Sequence, residues 1–328
     1  MWEEKKIPSS IDMSEEEYRA LNYCSYSFLS KLSRSGYKAF SSEVRVGKAM
    51  NLGSFIDCYI LTPELLDEKF ARTLTAPTAS KKILADFVIE NNDTVPSKEN
   101  LYELTLELGL WGRWSKEKVL ATLDDSFMEY LNQAISSKGK IPYTLEDLKL
   151  AIACKNSLAD SHLTEHIFRP EGLEILFQVK GIFEFDELHI KFMVDIIVVD
   201  TKEKIIYIYD LKTGEENLDN FENSFIKYRY DIQYYLYTKG VEEVKESLGY
   251  KDFEVKPLEF IYLSKKEPDI PVIYKVPEHI DIYNGYTTKL GYQITGIKKL
   301  IDDFKFYSGG FKVPRRVAEG KGIVVLDI

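Results

Sequence analysis

Hydrophobic positions along this chain recur with two different periods, and the change comes at Pro170. Before it, apolar residues return every three or four positions, the spacing of a helix face. Ser14 followed by Glu15, Glu16 and Glu17 reads as an N-cap with a Glu at N3, opening a helix into Tyr18 and Leu21. A second helix starts at Ser25 or Ser27 and carries Phe28, Leu29 and Leu32. Residues 47–61 (GKAMNLGSFIDCYIL) are apolar at most positions and stop at Thr62-Pro63, as a buried helix does. Residues 76–98 hold Pro77, Lys81, Lys82, Asn91, Asn92 and Pro96 around a short helical run, the composition of a flap. Helical spacing returns over 99–135 and 144–160, on either side of the turn-like SSKGKIP.

After Pro170 the pattern becomes alternating or continuously apolar and β-branched. The runs EILFQVKGIFEF, HIKFMVDIIVV and KIIYIYDLKT are joined by polar turns at Asp186-Glu187 and Thr201-Lys202-Glu203, which predicts a three-stranded antiparallel meander. A helix over about 225–239, strands at 258–263 and 272–276, and a long closing helix over about 280–307 complete the chain. The 328 residues allow one large domain or two modest ones. The expectation is a single domain with a helical portion 1–169, a sheet-containing core 170–310 and a basic tail 311–328.

At 45% hydrophobic and 29% charged, the chain is a folded protein rather than a disordered or fibrous one. Lys and Arg number 43 against 53 Asp and Glu, a formal charge of −10, which argues against a protein that coats nucleic acid through a basic exterior. It leaves room for acidic metal ligands beside a local basic channel. Cys24, Cys58 and Cys154 are odd in number and widely spaced, so neither a disulfide framework nor a cysteine metal site is indicated. The N-terminal MWEEKKIPSS lacks a signal-peptide pattern, and no apolar run approaches the length of a membrane helix, so a cytoplasmic location is expected.

The chemistry concentrates on Asp195, Asp210 and Lys212. A turn centred between Lys202 and Glu203 sets Asp195 directly opposite Asp210. Like charges facing across a hairpin destabilise it, so a divalent cation is expected between them. Two carboxylates, with waters and phosphate oxygens, suit Mg²⁺ or Mn²⁺. Lys212 lies two residues beyond Asp210, and the strand period of two puts both on one face. There an ammonium can orient a metal-bound water or neutralise charge developing on a phosphoryl group. A surface Asp/Lys pair at a strand end is the alternative. The apolar runs FMV before Asp195 and IIYIY before Asp210 speak against solvated charges.

Val194-Asp195 and Asp210-Leu211-Lys212 resemble the Pro-Asp and (D/E)xK elements of the PD-(D/E)xK nuclease superfamily. Tyr230-Asp-Ile-Gln233-Tyr-Tyr-Leu-Tyr237 is similar to the Q-x-x-x-Y helix motif of RecB-like and exodeoxyribonuclease VIII-like nucleases, with Gln233 and Tyr237 on one helix face. Upstream, Tyr26 to Leu29, and Leu52-Gly53 through Asp57 to Leu61-Thr-Pro63-Glu64, resemble the helical entry of the exodeoxyribonuclease VIII-like group. That group reads G-x-x-x-H before L-x-P-E. This chain carries Asp57 where the histidine stands, an exchange that keeps a metal ligand and adds negative charge. A capping aspartate is the alternative for Asp57. Residues 284–309, with Asn284-Gly285, resemble the group's C-terminal end.

The resemblance implies an α/β fold: a restriction-endonuclease-like core with a mixed central sheet flanked by helices and a helical N-terminal portion. It implies a Mg²⁺-dependent exodeoxyribonuclease acting 5′→3′ on linear double-stranded DNA, of phage or prophage type. A single-strand annealing protein as partner and a homo-oligomer are also implied. By the same resemblance Asp57, Glu174, Asp195, Asp210 and Leu211 make up the metal shell, and Lys212 assists the attacking water. Gln233 and Tyr237 contact substrate backbone or buttress Lys212, joined by Tyr230, Arg315 and Arg316 on the DNA. A simple hairpin turn near Glu187 puts Val179, not Glu174, opposite Asp195, so Glu174 acts as a direct or water-mediated ligand. A structure-specific or nicking endonuclease and an inactive DNA-binding module are the competing readings.

Three other signals carry less. His162-Leu-Thr-Glu165-His166 matches an inverted zinc-peptidase signature, but Arg169-Pro170 ends that helix within a turn. Trp111 and Trp114 read as ordinary aromatics before they read as a base-stacking platform. Lys312, Arg315, Arg316 and Lys321, and Arg34, Lys38, Arg45 and Lys48, are two basic clusters flanking the proposed site elements.

Overall fold

A computed structural model describes residues 13–41 and 47–322. The chain divides into two compact units, Met1–Thr62 with Leu150–Ile328, and Pro63–Lys149. In the larger unit the capping box at Ser14 starts α1 (Glu15–Ala20), with Glu17 N donating to Ser14 Oγ at 3.1 Å and Ser14 N to Glu17 Oε2 at 2.7 Å. A two-residue strand, β1 (Cys24–Ser25), leads into α2 (Tyr26–Ser35), and Ser25 caps that helix. α3 (Lys48–Leu61) follows and ends at Thr62.

The smaller unit holds α4 (Leu66–Lys69), β2 (Phe70–Arg72), α5 (Ala79–Asn91), α6 (Lys98–Glu107), α7 (Lys116–Thr122), α8 (Asp125–Ser136) and β3 (Ile141–Tyr143). Ser97, Ser115 and Asp124 cap α6, α7 and α8 through their side chains. Leu84, Ala85, Val88, Leu101, Leu123, Phe127 and Leu131 form its core, and β2 pairs in parallel with β3. The expected flap over 76–98 is therefore mostly a packed helix. Its polar residues lie around an apolar stripe at Leu84, Ala85 and Val88 whose burial decides its place.

The compact units divide the chain at positions other than Pro170. Residues 63–149 bury a core of their own. The N-terminal helices belong with the sheet, because β1 pairs with a sheet strand and Leu29 and Leu32 of α2 join the sheet's core.

After α9 (Leu145–Asp160) and α10 (Glu165–Phe168) comes the meander the alternation predicts, β4 (Glu174–Phe185), β5 (Leu188–Asp200) and β6 (Ile205–Gly214). Asp186 and Glu187 take φ of 47° and 62°, the left-handed pair of a two-residue hairpin. At the next turn Asp200 Oδ1 accepts from Lys202 N at 3.0 Å and Glu203 N at 2.9 Å. The single helix expected over 225–239 is two, α11 (Phe221–Tyr228) and α12 (Tyr230–Val244). They break at Arg229, which adopts φ 59°, ψ 46° and forks its guanidinium onto Asp231 at 3.0 Å while donating to Thr295 O at 2.7 Å.

β7 (Glu254–Val255), β8 (Glu259–Ser264) and β9 (Val272–Tyr274) follow. The long closing helix is corrected in its first half, which forms a hairpin, β10 (Gly285–Thr287) and β11 (Gln293–Thr295), before α13 (Ile297–Ser308) and the short α14 (Arg315–Glu319). Gly285 at φ +107° and Gly296 cross so closely that a Cβ on Gly296 would sit 2.3 Å from the Asn284 carbonyl carbon. That contact admits only glycine.

The main sheet runs β1-β5-β6-β8-β9, with β4 on β5 and β7 on β6. It is mixed: β4–β5, β5–β6 and β8–β9 are antiparallel, β6–β8 and β1–β5 parallel. Ile197, Val199, Ile206 and Ile208 on one face pack with Leu29, Ile232, Leu236, Val241 and Leu300. Among the described residues no helix is long and apolar enough to cross a membrane.

Candidate functional site

The β5–β6 ladder has the register expected from the turn, from Asp200↔Ile205 to Ile196↔Tyr209, and ends one step before Asp195 and Asp210. On the same edge of β5, pairing resumes at Lys191 and Ile190 with β1. Asp195 thus borders a stretch of β5 between two partner strands. Its Oδ2 accepts from Leu211 N at 3.0 Å, a side chain taking up the donor that a continued ladder would have used. Beyond Tyr209, β6 continues paired with β8 from Asp210↔Phe260 to Gly214↔Ser264.

The strand period that puts Ile206 and Ile208 on the core face puts Asp210 and Lys212 there as well. Asp210 is 1% exposed. Its Oδ1 accepts from Gln233 Nε2 at 2.5 Å, and its Oδ2 is ion-paired with Lys212 Nζ. Lys212 also lies over the Tyr230 ring, 4.8 Å from its centroid. Burial works against this cation, but Asp210, Tyr230, Asp195 and Tyr26 together hold its pKa well above the ordinary lysine value. The Lys212 ammonium is a donor, not a base.

Asp57 comes from α3, which packs against β6. Gly53, one helical turn earlier on the same face, lies beside Thr213, at a spacing that would put a Cβ 3.8 Å from its Oγ1, an ordinary contact. Burial raises the Asp57 pKa to about 7; Lys212 and Lys265 oppose the rise and Asp210 adds to it. Burial likewise pushes Asp195 well above the usual carboxylate range, reinforced by Asp210 and Asp57 and opposed by Lys212 and the Leu211 N–H. Three aspartates from three elements therefore sense one another. Fully ionised, their three negative charges would exceed the two positive charges of Lys212 and Lys265.

Gln233 and Tyr237 both face inward from α12, at 3% and 8% exposure. Gln233 binds Asp210 rather than Lys212, and its Oε1 is buried without a hydrogen-bond partner. The Tyr237 ring packs on Phe192 at 6.0 Å and Tyr26 at 6.3 Å. Tyr230 stacks on Phe221 and Phe260 as well as under Lys212. Leu211 is 2% exposed and contributes a main-chain N–H to the site.

Glu174 is not brought to this cluster. It pairs with Val199, four residues along β5 from Asp195 and so roughly 13 Å away at strand rise, and Tyr250 hydrogen-bonds it there. The residue that does meet Asp195 is Gln178, whose Nε2 donates to Oδ1 at 2.9 Å. Val179 pairs with Val194 instead, because the turn at Asp186-Glu187 is two residues long. Counting from that turn would have found Gln178. Lys265, at the end of β8, had no signal in the sequence.

Arg315 is engaged elsewhere, with Glu319 at 2.7 Å, Asp303 at 3.5 Å and the Phe306 ring at 5.2 Å. Arg316 is exposed on the same short helix. Arg34 and Lys38 are exposed, Arg45 lies outside the described residues, and the Lys48 side chain is likewise undescribed. Of the zinc-like pair, His162 lies in a turn ahead of α10 and His166 within it, so they do not share a helix face. Trp111 and Trp114 stack on each other at 6.0 Å in the smaller unit, with Lys118 over Trp114.

Among the described residues, no three His, Cys, Asp or Glu side chains converge closely enough to form a metal-ligand group as they stand. The donor chemistry nonetheless fits a hard divalent cation. Asp57 Oδ1 is buried without a hydrogen-bond partner, and each added negative charge among Asp57, Asp195 and Asp210 disfavours the others.

Residues 14–283 match the family described as PDDEXK-like domain of unknown function (DUF3799). The chain belongs to this family. The match runs from the N-cap of α1 to the edge of the β10–β11 hairpin and takes in every aspartate of the site. The PDDEXK-like core, with its mixed sheet between helices, is that of a nuclease-like fold, as the (D/E)xK resemblance implied. No curated protein matches the sequence. Among solved structures, the chain is similar to a candidate exonuclease from Eubacterium rectale, at 13% identity and a TM-score of 0.43 over 95% of this chain and 88% of that one.

Proposed function

We propose that this PDDEXK-like protein is a divalent-metal-dependent deoxyribonuclease, with Asp57, Asp195 and Asp210 holding the metal and Lys212 beside it. The observation that carries the reading is the buried, partnerless Oδ1 of Asp57 in a pocket of three mutually repelling aspartates. Such an arrangement is costly unless a cation is its normal occupant.

A bound Mg²⁺ or Mn²⁺ would offset that charge, polarise a phosphoryl oxygen and lower the pKa of a coordinated water. The protein's own part follows from its contacts. Gln233 fixes one oxygen of Asp210 and Lys212 engages the other, so this carboxylate has a single orientation. Gln178 and the Leu211 N–H do the same for Asp195. Lys212, held protonated over the Tyr230 ring, donates hydrogen bonds to the attacking water and to a phosphoryl oxygen as charge builds there. Tyr230 and Tyr237 set the wall against which Gln233 and Lys212 are ordered, the apolar support a preorganised site needs.

The sequence resemblance supports the finer reading of a 5′→3′ exonuclease on linear double-stranded DNA. It also supports a homo-oligomer working with a single-strand annealing protein in phage-type recombination, inside the cytoplasm. The test offers end-labelled linear duplex and closed circular plasmid to wild type, Asp210→Ala and Lys212→Ala in Mg²⁺, Mn²⁺ or EDTA. The expected result is metal-dependent loss of the linear substrate by wild type alone, with the circle spared. Cleavage of the circle would make the protein an endonuclease. Equal, negligible activity in all three proteins would leave a DNA-binding module.

A further inference from the structure

We propose that Lys265 is a second phosphate-binding cation of this site, gripping the substrate backbone beside Asp57. The proposal rests on the nuclease reading above and adds a residue that neither the (D/E)xK pattern nor the helix motif includes. Lys265 follows the last residue of β8, and its N–H donates to Gly214 O at 2.8 Å, directly across from the end of β6. α3 also packs on β6, with Gly53 beside Thr213. Lys265 therefore leaves from the end of the β6–β8 pair, on the strand beside the one that carries Lys212. Its charge acts on Asp57 and on Cys154 of α9.

Its burial is unusual for what it is paired with. The Lys265 side chain is 7% exposed, yet its ion-pair partner is Glu215 at a long 3.6 Å, and Glu215 is 68% exposed. Buried ammonium groups ordinarily have a close, buried counter-charge. Here the buried cation has a distant, solvated one, while the buried carboxyl group its charge acts on is Asp57, a proposed metal ligand. A phosphate oxygen arriving with that metal supplies the missing anion. Lysine, a compact point charge on a flexible stem, suits such a contact. The net charge of −10 makes each local cation count for more in holding a polyanion.

The experiment measures binding of the full-length protein to a fluorescent linear duplex in Ca²⁺ across a series of KCl concentrations. Wild type is compared with Lys265→Gln and Lys265→Arg, with thermal melts alongside. Loss of one phosphate contact should weaken binding about tenfold at low salt and reduce the slope of log Kd against log salt by about 0.9, with Lys265→Arg keeping the wild-type slope. A Lys265→Gln protein that melts differently but binds with the wild-type slope overturns the proposal and makes Lys265 a counter-charge for Asp57 alone. Should Lys265→Gln fail to fold, Glu215→Gln decides. Releasing Lys265 from that exposed partner should tighten binding about two- to fivefold, the size of one surface ion pair, and unchanged or weaker binding overturns the proposal. Wild type that binds no duplex sinks the nuclease reading itself and this proposal with it, a result distinct from an unchanged slope.

Discussion

Gln178 reaches Asp195 from a strained backbone. Its φ is 52° in the middle of β4, with Phe177↔Ile196 and Val179↔Val194 keeping the same register on either side, and its Nε2 donates to Asp195 Oδ1 at 2.9 Å. A non-glycine residue held in the left-handed region inside a strand costs of order 1–2 kcal/mol. The strained residue is the one whose amide orients Asp195. Replacement by Ala keeps the strain and removes the amide, whereas Gly removes both. Urea unfolding should therefore rank Gln178→Gly above Gln178→Ala by about 1 kcal/mol, the reverse of the usual strand preference. Equal stabilities would mean the backbone is relaxed.

Lys212 completes the charge balance around Asp210, so its loss should reach both stability and turnover. Lys212→Ala leaves a carboxylate that is 1% exposed without its cation. In single-turnover cleavage of linear duplex, a fall of roughly 10²–10³-fold is expected, the size seen when one preorganised donor is removed. A loss below tenfold would exclude Lys212 from the reaction.

Asp57 provides the pH test. Its folded pKa, raised by burial to about 7, lies above the ordinary 3.8, so between those values the folded state binds a proton that the unfolded state has released. This group's contribution to stability therefore falls as pH rises from about 4 to about 7. In EDTA, Asp57→Asn should melt at a higher temperature than wild type at pH 8, and the gap should close towards pH 5. Mg²⁺ should raise the wild-type melting point at pH 8 and leave Asp57→Asn nearly unmoved. A constant gap across the pH range would show that Asp57 is ionised and satisfied without metal.

Arg229 holds the joint between α11 and α12. Arg229 and Asp231 are 7% and 1% exposed, and the guanidinium also reaches Thr295 of the β10–β11 hairpin. Arg229→Ala strands a buried aspartate and should cost about 3–5 kcal/mol in chemical denaturation. The paired change Arg229→Ala with Asp231→Ala should recover part of it, and a double mutant no better than the single would show that the joint depends on the αL backbone instead.

Local rules carried much of this architecture. The capping box at Ser14, the buried helix up to Leu61 and the meander from Glu174 to Gly214 all follow from near-neighbour spacing and turn chemistry. So does the register that brings Asp195 and Asp210 to the end of one ladder, because a two-stranded register is set by the turn between the strands. The two-helix break at Arg229 and the β10–β11 hairpin were not legible. Each depends on a partner distant in sequence, Thr295 for Arg229 and the crossing of Gly285 and Gly296 for the hairpin.

By itself, the sequence determined the meander, its (D/E)xK strand and the facing of Asp195 and Asp210, since periodicity and strand facing are properties of neighbouring residues. Only the tertiary structure decided which further side chains reach them. Gln178 replaced Glu174 at Asp195, Gln233 was turned onto Asp210, Arg315 was drawn into ion pairs away from the site, and Lys265 came to Asp57 from a strand some two hundred residues later in the chain. Those choices are settled by packing α3 and α12 against the sheet, where burial and charge act through space on groups the chain order keeps apart.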